Sequence, residues 1–269
     1  TFSVGFDNST YDESRFSFSV AKKLNTNHEN IKLDKSSLDN LPSIVWHYSE
    51  LYSDSSSLPT FYVSKLASKK LKVVLTGDGA DEIFGGYLDP YAYHMISKFN
   101  KLPSFLKTLA HKAFETKYLQ RYSRISKLLK LSKLSLDEGY LSLRSGNWGE
   151  YKDCFKISTS LASNSLTHYL NEFENSDNVQ KLIYADIKDR LSYDFLYKVD
   201  MGSMANSLEA RSPFLDYRLF DYAFSLNHNV LYRGLKRKAI LKKIAEKYLD
   251  KKYINRRKMG FSIPKYDWL

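Results

Sequence analysis

One stretch constrains the fold of this chain more than any other, residues 71–87, LKVVLTGDGADEIFGGY. It opens with Val73–Leu75, a short apolar run rich in β-branched residues that predicts a buried strand. Two glycines then allow a sharp turn and a close approach to a ligand, at the sheet edge where parallel α/β proteins bind ligands. Asp78 and Asp81 suit Mg²⁺, which prefers oxygen ligands and bridges to phosphates. A plain surface turn with solvated acids is the alternative.

Strands and helices alternate along the residues before this stretch. Strands are predicted at Thr1–Phe6 and Ile31–Leu33, and a helix is predicted at Leu41–Leu51. Pro59 is well placed at the start of a further helix that leads into the central strand. Such alternation predicts an α/β fold, with a parallel sheet flanked by helices.

The second half of the chain has a different character. Residues 1–100 are predicted to form the α/β nucleotide-binding part, and residues 101–269 a mainly helical part of the same domain. One helix is predicted at Tyr193–Leu208. The last long helix is predicted at Lys236–Leu249, with Ile240, Ile244 and Tyr248 on its inward face.

Composition excludes several classes of protein. The chain has 269 residues, 43% hydrophobic and 26% charged, as is usual for a soluble globular protein. No run approaches the roughly 18 apolar residues that span a membrane. One cysteine fits a reducing cytoplasm, and the six scattered histidines do not predict a zinc site. The net charge of +11 is spread over many predicted helices without a nucleic-acid motif, so we expect no nucleic-acid partner.

Three segments resemble one known family. Thr76–Tyr87 resembles the S-G-[ED]-G-x-D-E-x-F-G-G-Y signature of the asparagine synthetase family's synthetase domain. Ser207–Asp216 is similar to the family's S-L-E-x-R-x-P-F-L-D segment, and Arg256–Phe261 to its W-R-x-K-x-G-F segment. The three occur in the family's order, and the resemblance covers most of the chain. It implies a sheet of the adenine nucleotide α-hydrolase type.

The resemblance also implies an activity. The family uses ATP and Mg²⁺ to convert a carboxylate, by default that of aspartate, into an acyl-adenylate. Ammonia from glutamine, released by a glutaminase domain of the same chain, then forms the amide. The resemblance is compatible with a homodimer and identifies no acceptor other than the default.

Four residues match nucleotide and metal positions of the family. Asp81 matches the aspartate that binds Mg²⁺, with capping of the following helix as the alternative. Thr76 and Gly77 match backbone positions near the nucleotide, and simple termination of the strand is the alternative. Val4 matches a strand residue whose main chain contacts adenine, and on its own it would be a core residue.

Two further residues match catalytic positions. Asp78 stands where many relatives have glutamate, a residue implied in orienting substrate or handling protons of the attacking amine. Lys258 matches the lysine that stabilises charge at the adenylate and pyrophosphate, a role that suits its point charge. A solvated basic turn is the alternative for Lys258. Glu209 and Arg211 are expected to form a structural ion pair, and Asp194 is placed near the proton relay of relatives.

The most important departure from the family pattern lies before the first strand. The family's S-G-G-x-D-S pyrophosphate loop precedes the strand that here begins at Thr1, and it does not occur in this sequence. We therefore expect a fragment, cut at both ends and inactive alone. Two alternatives stay open: a cyclising ligase of the β-lactam synthetase type, which tends to have tyrosine at the position of Asp78, and a non-catalytic scaffold.

Overall fold

The computed structural model describes seven segments of the chain, residues 1–50, 52–115, 123–144, 167–173, 176–234, 236–256 and 260–268. Lys258 lies outside them. The chain divides into two compact units. Unit 1 comprises Thr1–Gly79, Ser192–Asp216 and Ile240–Leu269. Unit 2 comprises Ala80–Leu191 and Tyr217–Ala239.

The strands belong to unit 1 and form two parallel pairs. β1 (Phe2–Phe6) pairs with β2 (Glu29–Leu33), and β3 (Val73–Leu75) pairs with β4 (Glu209–Arg211). The predicted strands at the start of the chain, at residues 31–33 and at residues 73–75 are thus confirmed, as is the parallel arrangement. The buried position predicted for β3 is wrong, since Val73 and Leu75 are 40% and 73% exposed and β3 pairs only with β4 among the described residues. The single predicted sheet is replaced by two two-stranded sheets among the described residues, because the hydrogen bonds of β1 run to β2 and those of β3 to β4.

Unit 1 also contains helices, of which Ser14–Lys23, Ser57–Ser68 and Leu196–Met204 pack against the strands. The others are Leu41–Tyr48, Lys251–Ile254, Lys265–Trp268 and all but the first residue of Ala239–Ala245, with 3₁₀ turns at Lys35–Asn40 and Pro213–Leu215. Apolar side chains of both the strands and the helices form one buried cluster. Its buried members are Val4, Phe6, Leu33, Ile44, Tyr48, Leu58, Phe61, Ile263 and Trp268. Tyr48 is fully buried, and its hydroxyl donates to the Lys198 carbonyl at 2.8 Å, which joins two distant helices.

Unit 2 is helical. Its helices are Ala80–Ile83, Leu88–Asn100, Ser104–Glu115, Ser123–Leu131, Leu136–Arg144, residues 167–172, Asn178–Asp186, Tyr217–Ser225 and His228–Leu231. Buried side chains include Ile83, Tyr93, Tyr140, Val179, Leu182 and Tyr232. Tyr140 donates a hydrogen bond to the buried carboxylate of Asp186 at 2.5 Å, so the interior also holds a paired polar contact. No helix in the described part of the chain has the length and apolar character needed to cross a membrane.

Two predicted helices differ from the structure. The helix predicted at Lys236–Leu249 covers only Ala239–Ala245, because Lys238 has a left-handed backbone with φ of +51°. Ile244 and Tyr248 were expected on its inward face, but they are 48% and 63% exposed. Periodicity shows that a helix has an apolar face, and other elements decide whether that face is covered.

The region after residue 186 also differs from the prediction of one α-helix at Tyr193–Leu208. A π-helix at Ile187–Phe195 leads into the α-helix Leu196–Met204, and the boundary between the units falls inside the π-helix. The boundaries of the two units do not coincide with the predicted division at residue 100. Ser192–Asp216 contains β4, and this segment belongs to unit 1 because β4 pairs with β3.

Candidate functional site

The turn after β3 is held by the chain that follows β4. The Thr76 N–H donates to the Arg211 carbonyl at 2.8 Å, and the Ser212 hydroxyl donates to the Asp78 carbonyl. Gly79 has φ of +87°, and a Cβ added there would lie 2.3 Å from Cδ2 of Leu215. Only glycine meets both conditions. Two of the motifs found in the sequence, more than 100 residues apart, are therefore in direct contact within unit 1.

A cavity of about 610 Å³ lies beside this turn in unit 1. Its lining includes Thr76 and Asp78 from the first motif, Leu208 and Ala210 from the second, and Phe261 from the third. Its volume is in the range of small-molecule and nucleotide sites. All three family-like segments therefore border one space.

Lys198 contributes a largely buried cation to the wall of the same cavity. Its ammonium lies 2.8 Å from a carboxylate oxygen of Asp54, and the side chain is only 11% exposed. Burial of Asp54 opposes its ionisation, but hydrogen bonds from Lys198 and Ser56 outweigh this effect and lower the pKa of Asp54. No sequence pattern predicts this pair, because Asp54 stands in a serine-rich segment without a recognisable motif.

A second polar contact lies nearby in unit 1. The Tyr52 hydroxyl donates to the Asp194 carbonyl at 2.7 Å and also to the Asp194 carboxylate. Burial, and next the hydrogen bond to Asp194, raise the pKa of Tyr52. The phenol therefore remains a proton donor at neutral pH and fixes the Asp194 carboxylate.

The remainder of the first motif belongs to unit 2 and forms a compact acidic turn. The ammonium of Lys238 lies 2.7 Å from Oδ1 of Asp81. The next residue, Glu82, is buried and accepts a hydrogen bond from the Tyr87 hydroxyl at 2.5 Å. The guanidinium of Arg190 lies 4.6 Å from the centre of the Tyr87 ring. Lys238 and Arg190 therefore place positive charge beside this acidic turn.

These residues fit Mg²⁺ in a limited way. The described residues contain no group of three or more histidine, cysteine, aspartate or glutamate side chains that could hold a metal ion. Asp81 offers one carboxylate. Mg²⁺ is commonly bound by one or two carboxylates together with substrate phosphates and water, so Asp81 fits the role of a single protein ligand.

The other predicted residues lie as follows. Val4 is 8% exposed and belongs to the core, as its alternative interpretation required. A Cβ added at Gly77 would meet no described atom within 4 Å, so this backbone is openly accessible. The Glu209–Arg211 ion pair is present at 2.6 Å and is exposed.

Comparison with known proteins adds an independent observation. The family model for asparagine synthase matches residues 1–269. The chain is 32% identical over 278 residues to a glutamine-hydrolysing asparagine synthetase of Bacillus subtilis, covering 100% of this chain and 43% of that protein. It is 30% identical to a putative glutamine-hydrolysing asparagine synthetase of Mycobacterium bovis, of which it covers 42%. An amidase of Penicillium rubens, chyE, is 26% identical and is covered over 44% of its length.

The chain thus spans less than half the length of the curated relatives it matches. The match nevertheless covers the whole chain, including the three segments that border the cavity of unit 1. On this evidence, the chain belongs to the asparagine synthase family.

Proposed function

We propose that this chain is the ATP-dependent, amide-forming part of a glutamine-dependent asparagine synthetase, with aspartate as the acceptor. In this reaction the aspartate carboxylate attacks the α-phosphorus of ATP, and pyrophosphate leaves. Ammonia then attacks the acyl-adenylate, and AMP leaves. A glutaminase domain of the protein supplies the ammonia.

The observation that carries this proposal is the shared cavity. Thr76, Asp78, Ala210 and Phe261 come from three separate segments of the sequence, and all four line the same space of about 610 Å³. A chain that had kept the motifs only for folding would not need to direct each of them to one cavity. The position of the cavity beyond β3 also agrees with the general location of ligand sites in parallel α/β folds.

Each residue has a role that follows from its chemistry. The open backbone at Gly77 and the adjacent Thr76 suit main-chain contacts to a nucleotide, because no side chain obstructs the approach. The Asp78 carboxylate suits the orientation of an incoming amine. Mg²⁺, when bound, would neutralise phosphate charge, and Asp81 would be the protein group that holds it. Lys258 would supply a cation for the departing pyrophosphate.

One largely buried ion pair would keep part of the cavity wall in place. The Lys198–Asp54 pair orients an ammonium at the cavity. Groups that are fixed before the reaction stabilise developing charge more effectively than groups that must reorganise.

The test is pyrophosphate exchange into ATP, measured with the protein as the cell produces it. We expect exchange that requires both aspartate and Mg²⁺, and none when glutamate replaces aspartate. Asp81→Asn should reduce exchange about a hundredfold, as expected when one charge-stabilising group is removed. Glu209→Gln should change it less than about threefold, because an exposed ion pair contributes little. Exchange that is independent of aspartate, or equal losses in both folded variants, would contradict the proposal.

A further inference from the structure

The carboxylate of Asp81 is packed against the backbone of its own turn. The Gly86 N–H donates to the Asp81 carbonyl at 2.6 Å. A Cβ added at Gly86 would lie 1.7 Å from Oδ1 of Asp81, far inside contact distance. The Asp81 side chain is only 22% exposed, so few directions of approach to the carboxylate remain.

One of these directions is taken by a segment that is distant in sequence. Residues 232–234 and 236–238, here called the basic turn, follow the helix His228–Leu231. Two backbone hydrogen bonds join Arg233 and Lys236 across the turn, at 3.0 and 3.1 Å, and Gly234 has φ of +61°. Lys238 follows with φ of +51°. Such a conformation is costly for a residue with a Cβ, and this kind of strain is concentrated at ligand sites and switch regions.

The basic turn contacts the acidic turn at three points. The ring of Tyr232 covers Gly85, since a Cβ added at Gly85 would lie 2.6 Å from that ring. Arg237 donates to the Gly86 carbonyl at 2.6 Å. The ammonium of Lys238 lies 2.7 Å from Asp81 Oδ1. The first two contacts fix the backbone, and the third brings a positive charge to the carboxylate.

We infer that Lys238 is a positioning residue that occupies the Asp81 carboxylate in the cation-free protein and is displaced when a divalent cation binds there. An ammonium 2.7 Å from a carboxylate oxygen fills the space that a cation bound to that oxygen would need. Two positive centres at one oxygen also repel each other strongly when they are partly shielded from water. The inference rests on the proposed function, which makes Asp81 a metal ligand.

The Lys238–Asp81 ion pair affects both the shape of the acidic turn and its affinity for a metal ion. The Asp81 carboxylate is compensated before the metal arrives, so the acidic turn keeps its shape. The displaced ammonium is then free to meet the phosphates that arrive with the metal. Metal binding is weakened by the energy of the ion pair, and this cost can be measured.

The inference is tested by titrating the protein, in the form that the cell produces, with Mn²⁺. Electron paramagnetic resonance measures the concentration of free Mn²⁺, and the affinity follows from it. Lys238→Met should bind Mn²⁺ about fivefold more tightly than the wild type, the factor expected for a partly exposed ion pair. The matched control Lys236→Met removes an exposed lysine from the same basic turn and should bind as the wild type does. The double variant Asp81→Asn/Lys238→Met should lose the gain.

Equal Mn²⁺ affinities of Lys238→Met and Lys236→Met would overturn the inference. If Lys238→Met folds poorly by circular dichroism, Lys238→Gln replaces it, and Lys238→Arg, which keeps the charge, should retain wild-type affinity. Pyrophosphate exchange is measured separately. Its absence would contradict the proposed function, whereas the Mn²⁺ affinities would still decide whether Lys238 competes for Asp81.

Discussion

The ammonium of Lys198 and the carboxylate of Asp54 lie 2.8 Å apart, although the two residues are 144 positions apart in the chain. With 11% of the lysine side chain and 29% of the aspartate side chain exposed, the pair is largely removed from water. It joins the helix Leu196–Met204 to the segment before the helix Ser57–Ser68. One residue of the cavity wall in unit 1, Lys198, is therefore held by an ion pair between distant segments of the chain.

The first prediction concerns the stability of that pair. Lys198→Met should lower the free energy of unfolding by about 2 kcal/mol, because it leaves a largely buried carboxylate without its cation. Lys251→Met, which removes an exposed lysine of unit 1, should change it by less than about 0.5 kcal/mol. Urea unfolding followed by circular dichroism measures both, and equal effects would contradict the structural role of the pair.

The same pair predicts a dependence on pH. The folded protein lowers the pKa of Asp54 below its usual value of 3.8. The unfolded state therefore takes up the proton first, and the contribution of Asp54 to stability is present above that value and is lost as the pH falls below it. Asp54→Asn/Lys198→Met should lose this part of the acid dependence.

The second prediction compares two glycines of the first motif. Gly86→Ala places a methyl group 1.7 Å from Asp81 Oδ1, whereas Gly77→Ala meets no described atom within 4 Å. We expect Gly86→Ala to destabilise the protein by about 2 kcal/mol, as overpacking does, and Gly77→Ala to change stability by less than about 1 kcal/mol. Urea unfolding measures the difference. A tolerated Gly86→Ala would show that the Asp81 side chain does not rest on this backbone.

The third prediction concerns His94 in unit 2. Its ring is fully buried, and within the described segments neither ring nitrogen has a hydrogen-bond partner. Burial, with smaller effects from Lys98 and His228 and an opposing one from Asp177, lowers the pKa of His94 to about 4. The folded protein therefore holds the ring neutral, while the unfolded chain takes up a proton below about pH 6.5.

Stability should consequently fall as the pH is lowered from about 6.5 to 4, by up to about 1.4 kcal/mol per pH unit from this residue. His94→Leu should reduce this slope, and at pH 8, where the ring is neutral in both states, it should have no titration effect. Urea unfolding at pH 8, 6 and 5 measures the slope. An unchanged slope in the variant would show that His94 is not held neutral by the fold.

The sequence predicted those parts of the fold that depend on local patterns. β1 and β2 were predicted because alternating and β-branched residues identify short strands without reference to distant parts of the chain. The turn after β3 was predicted for a related reason, since glycine at position 79 reports a positive φ directly. The exposure of Tyr248 was not predictable, because it depends on which distant element covers the helix.

The residues of the candidate site also fall into two groups, those that a local motif predicts and those that depend on contacts between distant segments. Thr76 and Asp78 were predicted as site residues from the motif, and both line the cavity. The ion pairs of Asp54 with Lys198 and of Asp81 with Lys238 were missed, since single charged residues in unrelated segments carry no pattern that indicates a partner.

The fourth prediction distinguishes two cations of the third motif. Arg256 already has partners, since its guanidinium lies 2.5 Å from Glu13 and 4.8 Å from the centre of the Phe16 ring. We therefore expect Arg256→Ala to reduce stability by about 1 kcal/mol and to leave most of the rate of pyrophosphate release. The proposed function gives Lys258 the role of a cation for the departing pyrophosphate, because of its place in the motif. On that basis, Lys258→Ala should slow pyrophosphate release about a hundredfold or more.

The physical reason is the concentration of negative charge when pyrophosphate leaves, because one ammonium in a site with little water stabilises that charge far more than a surface cation does. Both variants are compared in the protein as the cell produces it, with glutamate release from glutamine as the second readout. Under the proposed function that release should continue in both, since the glutaminase reaction is chemically separate. If Lys258→Ala retains normal pyrophosphate release and Arg256→Ala abolishes it, the cation that serves the reaction is Arg256, and its contact with Glu13 must break when ATP binds.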